Sequence, residues 1–290
     1  MKLSSVIISI FMSSCFACTQ DAGAQIAGYD LNAPFKVLIL PDTLREVSGI
    51  TALDKDRVAC VQDENGIVFI YDLNKGRLES QYVFAADGDY EGIARAGDTL
   101  YVLRSDGVLF KSVQGARALS INTFIPAPNS EGLCYDEAGH RLLIACKAKS
   151  GKGPEHKDKR QIYSYDLKAG RPSADAVIEF NVPEIRQFVK AQRITLPVKE
   201  KKNGKHEEIL RFTPSAIAVH PVSRMLYLIS STDHLLFVFD AQGNPREVAA
   251  LDPRLCNKPE GMIFLENGDL LITNEGQHKK PSLLWFKARL

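Results

Sequence analysis

Asp89-Tyr-Glu-Gly-Ile-Ala94 contains a short element that recurs along the chain: a polar residue, then Gly or Ala, then an aliphatic residue. The five copies are Ser48-Gly49-Ile50, Glu91-Gly92-Ile93, Glu131-Gly132-Leu133, Ser215-Ala216-Ile217 and Glu260-Gly261-Met262. They are spaced by 40 to 45 residues apart from one gap of 84, which requires an insertion. A repeat of this length is typical of solenoids and propellers.

Each copy is followed by a turn and further apolar runs. The second runs are Arg57 to Gln62, Leu100 to Leu103, Arg141 to Cys146, Met225 to Ser230 and Leu270 to Thr273. A third run closes most units, and three or four strands per forty residues is the pattern of a propeller blade. Because an isolated blade cannot bury both of its faces, several blades must pack together. We therefore predict an all-β fold, a β-propeller of five blades.

The last unit ends one strand short, at Trp285 to Leu290, whereas Phe35 to Leu40 is a lone strand before the first repeat. We expect this N-terminal strand to complete the last blade and close the ring, which leaves no sheet edge unpaired. The alternative is a sixth, degenerate blade within residues 181–212. Ile185, Phe188 and Val189 in that stretch favour a short helix inside an insertion instead.

The repeats, including Ser130-Glu-Gly-Leu-Cys-Tyr-Asp136 and Lys258-Pro-Glu-Gly-Met-Ile263, resemble the SdiA-regulated family of bacterial envelope propellers from about Leu44 to the end. The resemblance implies the propeller architecture and an envelope location, but that family has no settled activity to carry over. More loosely, the repeats are similar to calcium-dependent lactonases and esterase-like phytases. The chain departs from the pattern at Ser215-Ala216, where most family members have glycine.

The N-terminus has the pattern of a secretion signal. Lys2 precedes a short apolar run from Val6 to Met12, and small residues then precede Cys15. This is similar to a bacterial lipobox, which implies lipid attachment at Cys15, with Cys18 as the alternative. We predict a signal peptide over residues 1–18, a small polar tether over residues 19–34 and one propeller domain over residues 35–290.

Composition excludes some functions. The formal net charge of +1 gives no general attraction to nucleic acid. The four cysteines of the propeller domain, Cys60, Cys134, Cys146 and Cys256, lack the spacing of a metal site, and we expect mainly buried thiols. No Gly-x-Ser-x-Gly elbow or phosphate-binding glycine loop is present.

The acidic residues of the repeat should meet at one mouth of the central channel, because the first strand of each blade lines the axis. Counting across each turn places Glu91 opposite Arg104 and Glu131 near Lys147, so these four residues form a candidate ligand-binding set. The same counting places Glu260 opposite Glu275. Like charges facing each other across a strand pair repel unless something neutralises them.

Ring closure brings Glu46, Ser48, Asp63 and Glu64 of blade 1 beside these two glutamates. Oxygen-rich groups without histidine suit Ca²⁺ or Mg²⁺ better than zinc. Glu46, Asp63, Glu260 and Glu275 are therefore a candidate cation site, with Ca²⁺ as the cofactor. The competing interpretation is that the glutamates accept backbone hydrogen bonds and only lock the ring.

Two insertions, at residues 147–160 and 181–212, should lie on the same face as this mouth. The first has six basic and two acidic residues, and the second has eight basic and four acidic residues. A basic rim over an acidic centre would suit a small anionic ligand or a lipid head group, although lysine-rich loops are commonly only solvated.

The leading prediction is an exported envelope protein, lipid-anchored in a membrane, that acts as a binding or scaffold propeller for a small anionic ligand or an envelope protein and does not bind nucleic acid. The alternative is a calcium-dependent hydrolase, an esterase, lactonase or phosphoesterase, in which His234 or His278 moves the proton. Loop histidines are more often merely exposed. Fold alone does not decide between binding and catalysis.

Overall fold

A computed structural model describes residues 25–113, 118–125, 129–200, 204 and 206–289. The predicted signal peptide, Cys15, Cys18 and the first part of the predicted tether lie outside these residues. The described chain forms five antiparallel sheets of four or five strands and two separate two-stranded hairpins, and the first strand of each larger sheet packs beside the first strands of its two neighbours around a central axis. This confirms the predicted propeller and its five blades.

The blades follow the repeat, each running from the axis outward. Blade 1 contains Val47–Ala52, Arg57–Gln62, Ile67–Asp72 and Arg77–Val83. Blade 2 contains Tyr90–Ala96, Thr99–Arg104, Val108–Val113 and Leu119–Asn122. Blade 3 contains Ser130–Asp136, Arg141–Cys146, Lys159–Asp166 and a divided outer strand, Arg171–Pro172 and Ile178–Asn181. Blade 4 contains Pro214–Val219, Leu226–Ser230, Leu235–Phe239 and Pro245–Ala250. Blade 5 contains Pro259–Phe264, Leu270–Asn274, Ser282–Phe286 and Lys36–Ile39.

Lys36–Ile39 closes the ring as predicted. It pairs antiparallel with Ser282–Phe286, so that Leu38 lies opposite Leu283. The outermost strand of blade 5 thus comes from the start of the chain and its other three strands from the end. The ring is fastened by backbone hydrogen bonds between the two ends of the chain.

The gap of 84 residues is an insertion, and residues 181–212 do not form a sixth blade. The stretch contains the helix Val182–Ala191 and a two-stranded hairpin, Val198–Glu200 with His206–Glu208. Ile185 and Val189 of the helix are buried against the core between blades 3 and 4. The described residues also contain three 3₁₀ turns: Asp42–Leu44, Pro154–His156 and Ser231–Asp233.

The two ends of the ring differ in their connections. At the end where the inner strands begin, called here the insertion face, lie the loops between second and third strands and the connections between blades, including both insertions. At the opposite end, called here the hairpin face, the inner strands turn back tightly into the second strands. Any ligand on the axis therefore meets a different set of residues at each end.

Glycine is required where inner strands of neighbouring blades touch. A Cβ added to Gly49 would lie 2.9 Å from the Cα of Gly92, and a Cβ added to Gly92 would lie 2.8 Å from the Cβ of Leu133. Contacts this short are not tolerated in packed interiors. The repeated glycine is thus a packing requirement of the axis. Ala216 is accommodated at the corresponding place in blade 4.

Part of the predicted tether belongs to the folded domain, and the prediction is wrong from residue 25 onward. Gln25–Ile26 and Tyr29–Asp30 form a hairpin, and Ile26, Tyr29 and Leu31 are buried with apolar residues of blades 4 and 5. The segment escaped notice because strands of two residues are too short to show an alternating pattern.

The four cysteines Cys60, Cys134, Cys146 and Cys256 are buried and unpaired, which agrees with the prediction of buried thiols. Cys134 pairs in the sheet with Leu143, and Cys146 pairs with Ser130, so the two thiols are out of register. Within the described residues, no helix has both the length and the apolar character needed to cross a membrane.

Candidate functional site

The polar residue of every repeat sits at a β-bulge. The sheet register skips one residue of each inner strand, and the skipped residues are Ser48, Glu91, Glu131, Ser215 and Glu260. A bulge leaves its extra residue out of the hydrogen-bond ladder and redirects its side chain. All five residues line a constricted opening on the axis at the insertion face, called here the funnel. Sequence counting missed the bulges because it assumed regular pairing.

Serine and glutamate behave differently in this ring. The hydroxyl of Ser48 donates to the carbonyl of Tyr90 at 2.6 Å, and that of Ser215 donates to the carbonyl of Pro259 at 3.1 Å. Each serine therefore ties its blade to the next. Within the part of the chain that the structure describes, none of the three glutamates makes the corresponding hydrogen bond to the next blade, and their carboxyl groups are left with the funnel.

Glu131 and Lys147 form the ion pair that the sequence predicted. The ammonium group donates to the carboxylate at 3.1 Å, and Glu131 is only 5% exposed. Burial alone lowers the pKa of Lys147, but the charges of Glu131, Glu260 and Glu91 outweigh it and raise that pKa. Lys147 is therefore a fixed cation within the electrostatic reach of all three glutamates.

Glu260 and Glu275 are held near each other by Lys258, which the sequence analysis missed. The ammonium group of Lys258 lies 2.6 Å from Glu275 and 3.7 Å from Glu260. Glu260 is 7% exposed, and no described residue donates a hydrogen bond to its carboxylate. The signal was present in the sequence, since Lys258 precedes the bulge by two residues. Because Glu260 lines the funnel, its carboxyl group is open to a ligand there.

The predicted pairing of Glu91 with Arg104 is wrong. The bulge puts Tyr90, not Glu91, opposite Arg104 in the sheet. The guanidinium group instead donates to both carboxylate oxygens of Asp106, at 3.0 and 2.8 Å. Glu91 shares a hydrogen bond with the carboxyl of Asp89, which requires one of the two to carry a proton.

The funnel carboxyls are reluctant to ionise. Burial, followed by repulsion from Glu131 and Asp89, raises the pKa of Glu91 to about 9. Burial raises the pKa of Glu260 to about 7, against the opposing effects of Lys258 and Lys147. Burial also raises the pKa of Glu131. Perturbed carboxyls that converge on one opening are a frequent mark of a functional site.

The predicted cation site is incomplete in this arrangement. Asp63 is close enough to Glu46 and Glu275 that, after burial, their charges help raise its pKa to about 6. Lys258, however, lies between Glu260 and Glu275, where a cation bound by both would lie. Among the described residues, no group of three or more His, Cys, Asp or Glu side chains has the geometry to hold a metal ion.

The two candidate histidines are not among the residues that line the funnel. His234 follows the second strand of blade 4 in a left-handed conformation, and its Nδ1 lies 3.1 Å from the carbonyl of Cys256. His278 is exposed in the loop before the third strand of blade 5. A proton-transfer role for either would require a substrate that extends out of the funnel.

Comparison with known proteins identifies the architecture. No family model matches the chain, and no curated protein matches it, so the similarity to the SdiA-regulated family stays a prediction. Among solved structures, glutaminyl cyclase from Myxococcus xanthus superimposes with a TM-score of 0.58 at 12% identity, over 89% of this chain and 97% of that chain. A streptogramin B lyase gives 0.52 at 11% identity, over 88% and 97%. The WD40 repeats of RRP9 give 0.51 at 8% identity, over 89% and 99%. Identities this low support a common fold alone.

Proposed function

We propose that the chain is an exported, lipid-anchored binding propeller whose ligand places a positively charged group in the funnel. The observation that carries the proposal is Glu260, buried at the axis with no hydrogen bond from any described residue. A ligand ammonium group would supply the missing donors and stabilise the ionised carboxylate. The ligand group beside Glu260 would thus be cationic, whereas the basic insertions led us to expect a small anionic ligand.

The size of the funnel supports a small group. The space enclosed by the five bulge residues and their neighbours is about 10 Å³, which suits one water-sized or ammonium-sized group. Lys147 pairs closely with Glu131 and Lys258 with Glu275, so Glu260 is the funnel carboxyl whose nearest ammonium group, at 3.7 Å, is shared with a closer partner. The ligand's cation would occupy the floor while the rest of the molecule lies among the insertion loops.

The first experiment is thermal unfolding of the mature chain, from Thr19 onward, with spermidine, 1,4-diaminobutane and acetate. Ligand that binds only the folded state raises the midpoint. We expect the two amines to raise it and acetate to leave it unchanged. Glu260→Gln should abolish the amine effect, whereas Glu79→Gln, at an exposed residue of the outer strand of blade 1, should retain it. An equal shift in both variants, or no shift with wild type, would refute the proposal.

One observation, a buried oxygen atom of Asp63 without a partner in the described chain, favours a second candidate function, the calcium-dependent hydrolase. Asp63 Oδ1 is buried and has no hydrogen-bond partner among the described residues. A Ca²⁺ ion bound there would need Lys258 to move aside, and it would then polarise a carbonyl or phosphoryl oxygen. Removing cations with EDTA and restoring Ca²⁺ should raise the unfolding midpoint only if this candidate holds, and Asp63→Asn should remove that rise.

Lipid anchoring rests on the N-terminal sequence and has its own test. Radiolabelled palmitate should enter the full-length protein and be lost in Cys15→Ala, with Cys18→Ala as the matched control. If the label is lost in Cys18→Ala instead, Cys18 is the lipid-modified residue. Absence of label from wild type would leave an ordinary secretion signal and no anchor.

A further inference from the structure

The hairpin face carries a second and larger opening, distinct from the funnel. It has a volume of about 430 Å³ and is lined by all five blades. We call it the cup. Its floor is apolar and includes Ile50, Ile93, Leu133 and Met262, all of which are buried. A cavity of this size with an apolar floor is within the range of small-molecule sites.

The rim of the cup carries charges of alternating sign. In ring order they are Arg95 of blade 2, Glu137 of blade 3, Arg224 of blade 4 and Glu266 of blade 5. Two cations and two anions thus surround an apolar floor. A purely anionic or purely cationic ligand would meet one repulsive pair, whereas a ligand with both charges would meet an attractive partner for each.

Both arginines have partners within the ring, and Arg95 also lies 3.9 Å from the exposed carboxylate of Asp98. The guanidinium group of Arg224 donates to Asp136 at 3.0 Å, and that of Arg95 donates to the carbonyl of Leu53. Each guanidinium has five N–H donors, so both keep donors for a ligand carboxylate. Glu137 and Glu266 are exposed and can receive a ligand ammonium group.

We propose that the cup binds a zwitterion with an apolar body, such as an apolar amino acid or a short peptide with free ends. The ligand's carboxylate pairs with Arg95 or Arg224, its ammonium group pairs with Glu137 or Glu266, and its apolar side chains cover the floor. The two openings lie back to back and share the apolar residues of the cup floor, but they share no charged residue, so the charges of the cup can be tested apart from those of the funnel.

The test is calorimetric titration of the mature protein with the dipeptide Leu-Phe. N-acetyl-Leu-Phe removes the ammonium group, Leu-Phe-amide removes the carboxylate, and Gly-Gly removes the apolar body. We expect Leu-Phe to bind and each altered peptide to bind about tenfold more weakly or worse, since each leaves a charge or the floor unsatisfied. Equal binding of all four peptides, or no binding of Leu-Phe, would overturn the proposal.

Variants locate the site. Arg224→Gln should weaken Leu-Phe binding, while Arg246→Gln, which removes a guanidinium group held by a different turn aspartate, Asp240, should not. Because Arg224 also ties Asp136, Ala52→Phe, at a half-buried residue that lines the cup, provides a second variant that fills the cup without removing a charge. Glu260→Gln in the funnel should leave peptide binding unchanged. Loss of binding in Glu260→Gln with retention in Ala52→Phe would place the peptide in the funnel and refute the cup.

Discussion

At the scale of single residues, the identity of the bulge residue decides whether a blade contributes to the ring or to the funnel. Serine at this position completes a hydrogen bond to the next blade, as Ser48 does with Tyr90. Glutamate at the same position leaves that bond unmade and places a carboxyl group on the axis. Three of the five blades therefore give up one inter-blade tie and contribute a carboxyl instead.

Protonation of Glu260 should make stability depend on pH. Its pKa rises from 4.5 to about 7 on folding, so between these values the folded chain holds a proton that the unfolded chain has released. Stability therefore falls as the pH rises through this window. Each pKa unit corresponds to about 1.4 kcal/mol, which gives a loss on the order of 3 kcal/mol by pH 8.

Urea unfolding of wild type and Glu260→Gln at pH 5 and pH 8 measures this effect. The variant should be more stable relative to wild type at pH 8 than at pH 5, because glutamine cannot ionise. Glu266→Gln, which is exposed, should follow wild type at both values. Parallel behaviour of wild type and Glu260→Gln would mean that the carboxyl is already ionised throughout the window.

The glycine of the repeat should tolerate no side chain at the junction of blades 1 and 2. In Gly49→Ala the new methyl group would lie 2.9 Å from backbone atoms of Gly92 and Ile93, which cannot rotate away. We expect a loss of about 1–3 kcal/mol, the usual cost of overpacking. The control is Ala216→Gly, which should cost about 0.5–1 kcal/mol through backbone entropy. Equal costs in urea unfolding would show that the junctions are not under steric control.

At the scale of elements, the N-terminal two-stranded unit, Gln25–Ile26 with Tyr29–Asp30, is attached to the hairpin face of the ring. The attachment is a chain of hydrogen bonds that includes Tyr29. The backbone N–H groups of Val222 and Ser223 donate to Nδ1 of His220, so Nε2 carries the proton. Nε2 lies 3.0 Å from the hydroxyl of Tyr29, which donates to the carbonyl of Gly268 at 2.5 Å. This arrangement needs neutral histidine, because protonated Nδ1 could not accept.

Acid should weaken this attachment. Burial lowers the pKa of His220 below 6.5, so in mild acid the unfolded chain binds a proton that the folded chain resists. Stability conferred by His220 is then present above about pH 6.5 and is lost as the pH falls below it. His220→Asn should lack this loss, and His140→Asn, an exposed turn histidine, should retain it. Identical pH profiles of wild type and His220→Asn would contradict the prediction.

Some elements of this fold could be predicted from the sequence and others could not. The inner and second strands could be predicted because six-residue apolar runs recur at one period. The bulges could not, because one extra residue leaves the apolar pattern of a strand almost unchanged while it redirects Glu91 and Glu260. For this reason the sequence correctly placed the glutamates at one mouth and paired Glu131 with Lys147, but failed for Arg104 and did not find Lys258.

At the scale of the whole molecule, a ring of blades has no stable partial form unless its last junction is made. Isolated blades expose both faces, and an open ring exposes two edge strands. Here that junction depends on Lys36–Ile39, four residues far in sequence from Ser282–Phe286. The closing strand was predictable because one blade was short of a strand and one strand was without a blade.

Deleting the closing strand should therefore lower the stability of the whole ring far more than the loss of four residues would suggest. A chain that begins at Asp42 would leave the outer edge of Ser282–Phe286 unpaired and uncover Leu283, which is fully buried. We expect it to aggregate or to unfold without a single cooperative transition in calorimetry and size-exclusion chromatography. A chain that begins at Ala33 keeps the strand but loses the hairpin, and it should stay monomeric with a lower midpoint. A separate peptide of residues 34–41 should bring the shorter chain to the behaviour of the chain from Ala33, because the closing strand is what distinguishes the two. Cooperative unfolding of the chain from Asp42 without that peptide would show that the ring holds without its closing strand.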